Sequence, residues 1–178
     1  SGVWIMAYTT IDDPSAHFTT TLYTGNASTN AITNSANAGD FQPDWVWLKS
    51  RNSATHHRLY DSSRGALKNL ISSASNTEAT TANSLTSFNS NGFTLGSDDN
   101  SNQNTKTFVA WQWKCNGGTT SSNSNGSITS TVQVNDTAGF SIVLYTGNET
   151  AGATIGHGLS AAPDVIIVKN RDTNRTWL

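Results

Sequence analysis

The sequence predicts an all-β fold, and three observations carry that expectation. Apolar and aromatic residues fall in short runs rather than in long stretches of helical spacing. Turn formers recur between the runs, as in Thr24-Gly25-Asn26, Asn91-Gly92, Asn116-Gly117-Gly118 and Thr146-Gly147-Asn148. Six Trp, four Tyr and six Phe supply buriable surface to a chain in which 69 of 178 positions are Ser, Thr or Asn. That aromatic content argues for a packed core where the polar composition alone would suggest disorder.

Taken in order, strands are expected near Val3–Thr9, Thr19–Tyr23, Trp45–Lys49, His57–Tyr60, Phe93–Leu95 and Phe108–Lys114, then near Ile128–Val134, Ser141–Tyr145 and Val165–Lys169. Alternation divides the Phe108–Lys114 run into two faces. Val109, Trp111 and Trp113 point one way, and Phe108, Ala110, Gln112 and Lys114 the other. Trp45-Val46-Trp47-Leu48 is apolar on both faces and reads as a central strand covered from both sides. One short helix is expected at Arg64–Ala74, because Leu67, Leu70, Ile71 and Ala74 follow the i, i+3, i+4, i+7 pattern and Ser62 or Ser63 could cap its start. Ser72–Asn83 and Asn116–Ser127 read as loop and linker.

An internal repeat organises the chain. Phe18 to Asn26 reads FTTTLYTGN and Phe140 to Asn148 reads FSIVLYTGN; Pro43 to Arg51 reads PDWVWLKSR and Pro163 to Arg171 reads PDVIIVKNR. Two blocks in the same order, offset by 122 and 120 residues, exceed what biased composition produces. The division that follows is a lead-in strand over 1–17, a first module over 18–115, a linker and joining strand over 116–139, and an incomplete second copy over 140–178. Both ends fall in mid-pattern, so the chain reads as part of a longer polypeptide. The second copy's strands are expected to find partners in residues 1–17, in a neighbouring subunit or in further chain.

Charge excludes some functions. Ten Lys and Arg against twelve Asp and Glu leave a net charge of -2, with no basic field for a phosphate backbone. The longest apolar or aromatic run, Val3–Tyr8, is far short of the roughly 20 residues of a membrane helix. No nucleic-acid partner and no membrane insertion are expected. The single cysteine, Cys115, excludes an internal disulfide and a thiolate-rich zinc site.

Five ordered blocks, Leu22–Asn26, Phe41–Asp44, Leu59–Gly65, Asn83–Asp98 and Ala110–Lys114, resemble a repeat of virion structural proteins from tailed bacteriophages, especially marine ones. Ile128–Gly147 resembles that family's link into a next copy. The resemblance implies a lectin-like β-sandwich or jelly-roll module on the particle surface, in a fibre or appendage. It implies as partners other copies of the chain and other virion proteins, with host surface glycans as candidate ligand. A secreted carbohydrate-binding module of a larger enzyme and a capsid decoration protein with no ligand remain the alternatives.

The candidate glycan contacts are His57, Tyr60 and Asp99, in the loops Arg51–Tyr60 and Asp98–Asn104, whose hydroxyl, imidazole and carboxylate groups suit sugar hydroxyls. Folding explains the same residues more simply: Asp61 caps the expected helix and pairs with Arg64, and Asp98-Asp99-Asn100 forms a polar turn. That last trio lacks the spaced ligands of a calcium loop, and no metal or cofactor is expected. Glu78 and Glu149 are the only glutamates, no acidic pair stands out for glycoside hydrolysis, and neither GxSxG nor GxxxxGK occurs. The expectation is a non-catalytic protein. The repeated Lys49-Ser50-Arg51 and Lys169-Asn170-Arg171 read as basic strand ends that discourage edge pairing, or as a site for acidic glycans. Cys115 reads as a small packing residue.

Overall fold

The computed structural model describes residue 11, residues 13–34 and residues 39–178. The strand expected at Val3–Thr9 lies outside the described residues. The rest is an all-β sandwich with a third sheet joined to it. The first sheet holds β1 (Phe18–Thr24), β3 (Trp45–Ser50), β4 (Arg58–Asp61), β5 (Lys68–Ile71), β6 (Ala79–Thr80) and β9 (Thr107–Trp113), in the order β1-β9-β3-β4-β5-β6. The second holds β2 (Asn30–Thr33), β7 (Leu85–Asn89) and β8 (Gly92–Leu95), ordered β2-β8-β7. The third is β10 (Ser121–Asn123), β11 (Ser130–Asn135) and β12 (Phe140–Leu144). Every strand pair is antiparallel.

The inner faces of the first two sheets meet in one core. Val46, Leu48, Tyr60 and Ala110 come from one side, and Ile32, Leu85, Phe93 and Leu95 from the other. Alternation places them there: in β9, Phe108, Ala110 and Gln112 are fully buried while Trp111 and Trp113 on the opposite face are only partly so. Full burial of a side chain such as Phe93 is worth about 1.5–3 kcal/mol.

The central position of β3 agrees with its apolar run, but its two faces differ. Val46 and Leu48 are buried in the core, whereas Trp45 and Trp47 stay half-buried on the outer face. Strands β2, β5, β6, β7 and β10 went unpredicted. Ser, Thr and Asn fill β7 and β10 so densely that hydropathy shows no period there.

The expected helix at Arg64–Ala74 does not form. The Asp61 carboxylate accepts the Arg64 N–H at 2.8 Å, its carbonyl accepts the Gly65 N–H at 3.1 Å, and Gly65 and Leu67 take φ of 91° and 67°. A helix cannot run through two left-handed residues. Leu67 instead donates its N–H to the Leu85 carbonyl at 2.8 Å, and the chain enters β5, where Leu70 lies opposite Leu59. The short helix is at Asp99–Asn102 (α1), after Asp98, whose carboxylate accepts the Ser101 hydroxyl at 3.0 Å.

The third sheet is tied on by buried polar side chains. Asp44 is fully buried and accepts the N–H groups of Cys115 (2.7 Å), Gly117 (2.9 Å) and Gly118 (2.8 Å), plus the Ser62 hydroxyl at 2.6 Å. Gln133 of β11 is fully buried too; it donates to Ser63 at 2.8 Å and accepts from Asn116 at 3.0 Å. Both sites collect backbone N–H groups of the 115–118 turn, that of Cys115 buried and otherwise without water. Val165–Lys169, expected as a strand, is not one. Among the described residues it keeps a single reciprocal pair, Val168 with Leu178 at 2.9 and 3.1 Å, and no β-partner on its other edge.

Candidate binding face

The outer face of the first sheet carries the most distinctive surface chemistry in the described residues. Residues two apart on a strand share a face, so Trp45 and Trp47 of β3 project together, as do Trp111 and Trp113 of β9. The register sets Trp45 directly opposite Trp113 and Trp47 opposite Trp111. Phe18 of β1 continues the first row beside Trp113, ring centroids 4.9 Å apart. Trp45 and Trp113 pack at 4.5 Å, and Trp47 and Trp111 meet edge to face at 6.0 Å.

The two rows have different surroundings. Phe140 of β12 stacks on Trp45 at 5.9 Å, so the third sheet covers that end. Trp47 and Trp111 instead line, with Trp113, a shallow depression of about 270 Å³. The Trp47 indole N–H donates to His57 Nδ1 at 2.8 Å, which fixes both rings and requires Nδ1 to be unprotonated. Burial, with Lys49 and His56 adding, holds the His57 imidazole below its usual value. Pre-oriented indoles offer apolar faces on which a sugar ring can stack, and their fixed rotamers lower the entropic cost of binding.

The predicted site residues do not converge. His57 belongs to this face through Trp47. Tyr60 lies on the opposite face of β4, fully buried in the core, and burial pushes its phenol up to about 12. It is therefore a core residue and not a glycan contact. Asp99 is exposed, but on α1, which packs on the core side of the first sheet, where the Ser101 carbonyl accepts the Tyr23 hydroxyl. Sequence reading missed Trp47 and Trp111 as partners in one surface; the signal was the two W-x-W spacings, Trp45/Trp47 and Trp111/Trp113.

The other charged groups serve the fold. Arg64 pairs with Asp61 and with Glu78 at 3.1 Å, and Glu78 also receives Arg171 at 2.9 Å. Lys49 turns back onto the carbonyls of Ser50 (2.8 Å) and Ser53 (3.1 Å), and Lys169 onto those of Asn170 (2.8 Å) and Arg175 (2.9 Å). Both lysines clamp a turn, a use neither sequence reading foresaw. Cys115 is buried, and burial, with Asp44 adding, pushes its thiol up to about 12, a packing residue with little thiolate.

Residues 13–178 match a family described as Domain of unknown function (DUF7483). The chain belongs to the DUF7483 family. The matched span takes in both the sandwich and residues 140–178, so the DUF7483 unit includes the tryptophan face and the segment packed over one end of it. No curated protein and no solved structure matches the chain.

Proposed function

We propose that this DUF7483 chain is a non-catalytic surface module of a virion that contacts host glycans through the open row of its outer sheet face. One observation carries the glycan reading: Trp47 and Trp111, held edge to face with Trp47 bonded to His57, remain partly exposed on the outer face of the sheet. A cluster of indoles in one exposed depression, rather than a single surface aromatic, is the kind of patch that marks a binding surface. The virion reading rests on the five sequence blocks and on the modular repeat, which suits a particle built from many copies. Among the described residues three indoles line the depression, and an indole supplies neither a general acid nor a general base.

The test is binding of the purified chain to host cells and to an array of host surface glycans. Trp47→Ala and Trp111→Ala should each weaken binding by at least about tenfold, as expected of an aromatic hot spot. Asp99→Ala serves as the control for the loop reading. Antibodies to the chain should label intact particles. Labelled particles with no sugar bound would leave a decoration protein; sugar binding without particle labelling would leave a module of a secreted protein.

A further inference from the structure

We propose that the groove between β12 and Val165–Lys169, open among the described residues, is a strand position that the β9-type strand of a further copy of the repeat fills. The proposal is independent of what the tryptophan face binds.

In the first copy, β9 lies between β1 and β3. The repeat makes β12 the counterpart of β1 and Val165–Lys169 the counterpart of the start of β3. In the second copy these two segments face one another across a cavity of about 630 Å³, lined by Ile142, Leu144, Val165 and Ile167 and floored by Trp45 and Leu59. Among the described residues β12 is paired on one side only, by β11. Val165, Ile166 and Ile167 are 75, 69 and 53% exposed. Such a bare apolar edge is a template for strand addition.

Backbone polarity agrees. Leu48 lies opposite Arg58 in the first copy, and the same place in the second is the Val168–Leu178 pair, bonded in both directions. Because bonding sides alternate along a strand, Val165, Ile167 and Lys169 turn their N–H and C=O groups away from Leu178. Their counterparts in β3 lie opposite Trp113, Trp111 and Val109. The incoming strand therefore sets residues of the Val109, Trp111 and Trp113 type beside Lys169, Ile167 and Val165. One end of the groove is already closed, where the Glu78 N–H donates to the Arg171 carbonyl at 2.9 Å.

A carboxylate marks the other end. Asp44 accepts the amides of Cys115, Gly117 and Gly118, which immediately follow β9. Its counterpart, Asp164, is exposed at the cavity's rim and has no hydrogen bond among the described residues. A Trp-Lys-Cys-Asn-Gly-Gly ending would supply those amides.

The probe is a synthetic peptide with the sequence of Val109–Gly118, added to the full chain and compared with the same residues in scrambled order. The ordered peptide should bind one to one and slow hydrogen exchange at the amides of Val165, Ile167 and Lys169. The scrambled peptide should bind at least about tenfold more weakly. Ile167→Pro removes an amide that faces the groove and should abolish binding. Asp164→Ala, at an exposed position, should weaken it about tenfold at an unchanged melting temperature. Equal binding of both peptides, or indifference to both substitutions, overturns the proposal. So does finding those three amides already protected in the peptide-free chain, monomer or dimer, since another segment would then occupy the groove.

Discussion

The two copies of the repeat share their local devices and differ in the contacts that the first copy makes with β9 and the chain around it. Asn26 and Asn148 each accept the N–H two residues on, at 2.9 and 3.1 Å, and Lys49 and Lys169 each clamp the turn that follows them. These contacts close over a few residues, so short sequence dictates them. Tyr23, by contrast, stacks on Phe108 and donates its hydroxyl to the Ser101 carbonyl at 2.7 Å, whereas its counterpart Tyr145 is 44% exposed. Asp44 is buried under three amides and Asp164 is in the open. The same residue type thus acts as core in one copy and as surface in the other. Sequence selects the local shape, and the neighbouring strands decide its energetic worth.

The aspartate pair should separate the copies most sharply. Asp44→Ala removes the acceptor of the buried Cys115 amide, of the part-buried Gly117 and Gly118 amides and of the Ser62 hydroxyl, and should cost about 3 kcal/mol. Asp164→Ala should change stability by less than about 0.5 kcal/mol. Urea midpoints of the two variants measure the difference. Equal midpoints would mean that the second copy is as fully bonded as the first.

The glycines of the two YTGN blocks come next. A Cβ on Gly25 would lie 2.2 Å from the Gln103 carbonyl oxygen, a clash with backbone that cannot move aside. Gly25→Ala should therefore destabilise by about 2 kcal/mol. Gly147 has nothing within 4 Å, and its alanine should fall within about 0.5 kcal/mol of wild type. Thermal melts suffice, and a costly Gly147→Ala would reveal a partner at the second block.

The same contrast shows how much was legible in the sequence. The β class, the face division of β9 and the central place of β3 follow from alternation and turns, which are local. The Arg64–Ala74 error came from trusting helical spacing where the Asp61 side chain and two left-handed residues had already turned the chain. The polar strands were hidden because Ser, Thr and Asn serve strand and loop alike. At the candidate site, His57 was legible and its partner was not: the Trp47–Trp111 pairing depends on the register of β3 against β9, separated by some sixty residues. Tyr60 failed as a site residue because the pairing of β4 with β3, which sets it opposite Val46, turns it into the core.

Acid should loosen one copy from the other at a single junction. Burial pushes the Glu78 carboxyl up, and hydrogen bonds from Arg171 and Arg64 outweigh it and hold the group below its usual 4.5. A carboxyl depressed in the folded state contributes stability that is present above 4.5 and lost as pH falls through the lowered value. Trp177, whose indole donates to the Ile71 carbonyl at 2.8 Å, reports on that docking. Its environment, followed by NMR of the indole N–H, should change below pH 4.5 while the core methyl signals of Val46 and Leu48 stay in place. Glu78→Gln should leave the junction loosened at every pH.

The smallest effect expected is at His57, where only the open row of the tryptophan face responds. The imidazole is held below 6.5 by burial, with Lys49 and His56 adding, so protonation is disfavoured in the folded state. Its contribution is complete above 6.5 and declines as pH falls toward the lowered value. Protonation converts Nδ1 from acceptor to donor and breaks the bond from the Trp47 indole. The Trp47 indole N–H resonance should therefore move below pH 6.5, and the Trp45 resonance should not, because Phe140 covers that ring and no histidine holds it. His57→Gln leaves an amide oxygen that accepts at any pH, and should flatten the Trp47 response. A Trp47 resonance that still moves in His57→Gln would place the titrating group elsewhere and remove His57 as the residue that orients this face.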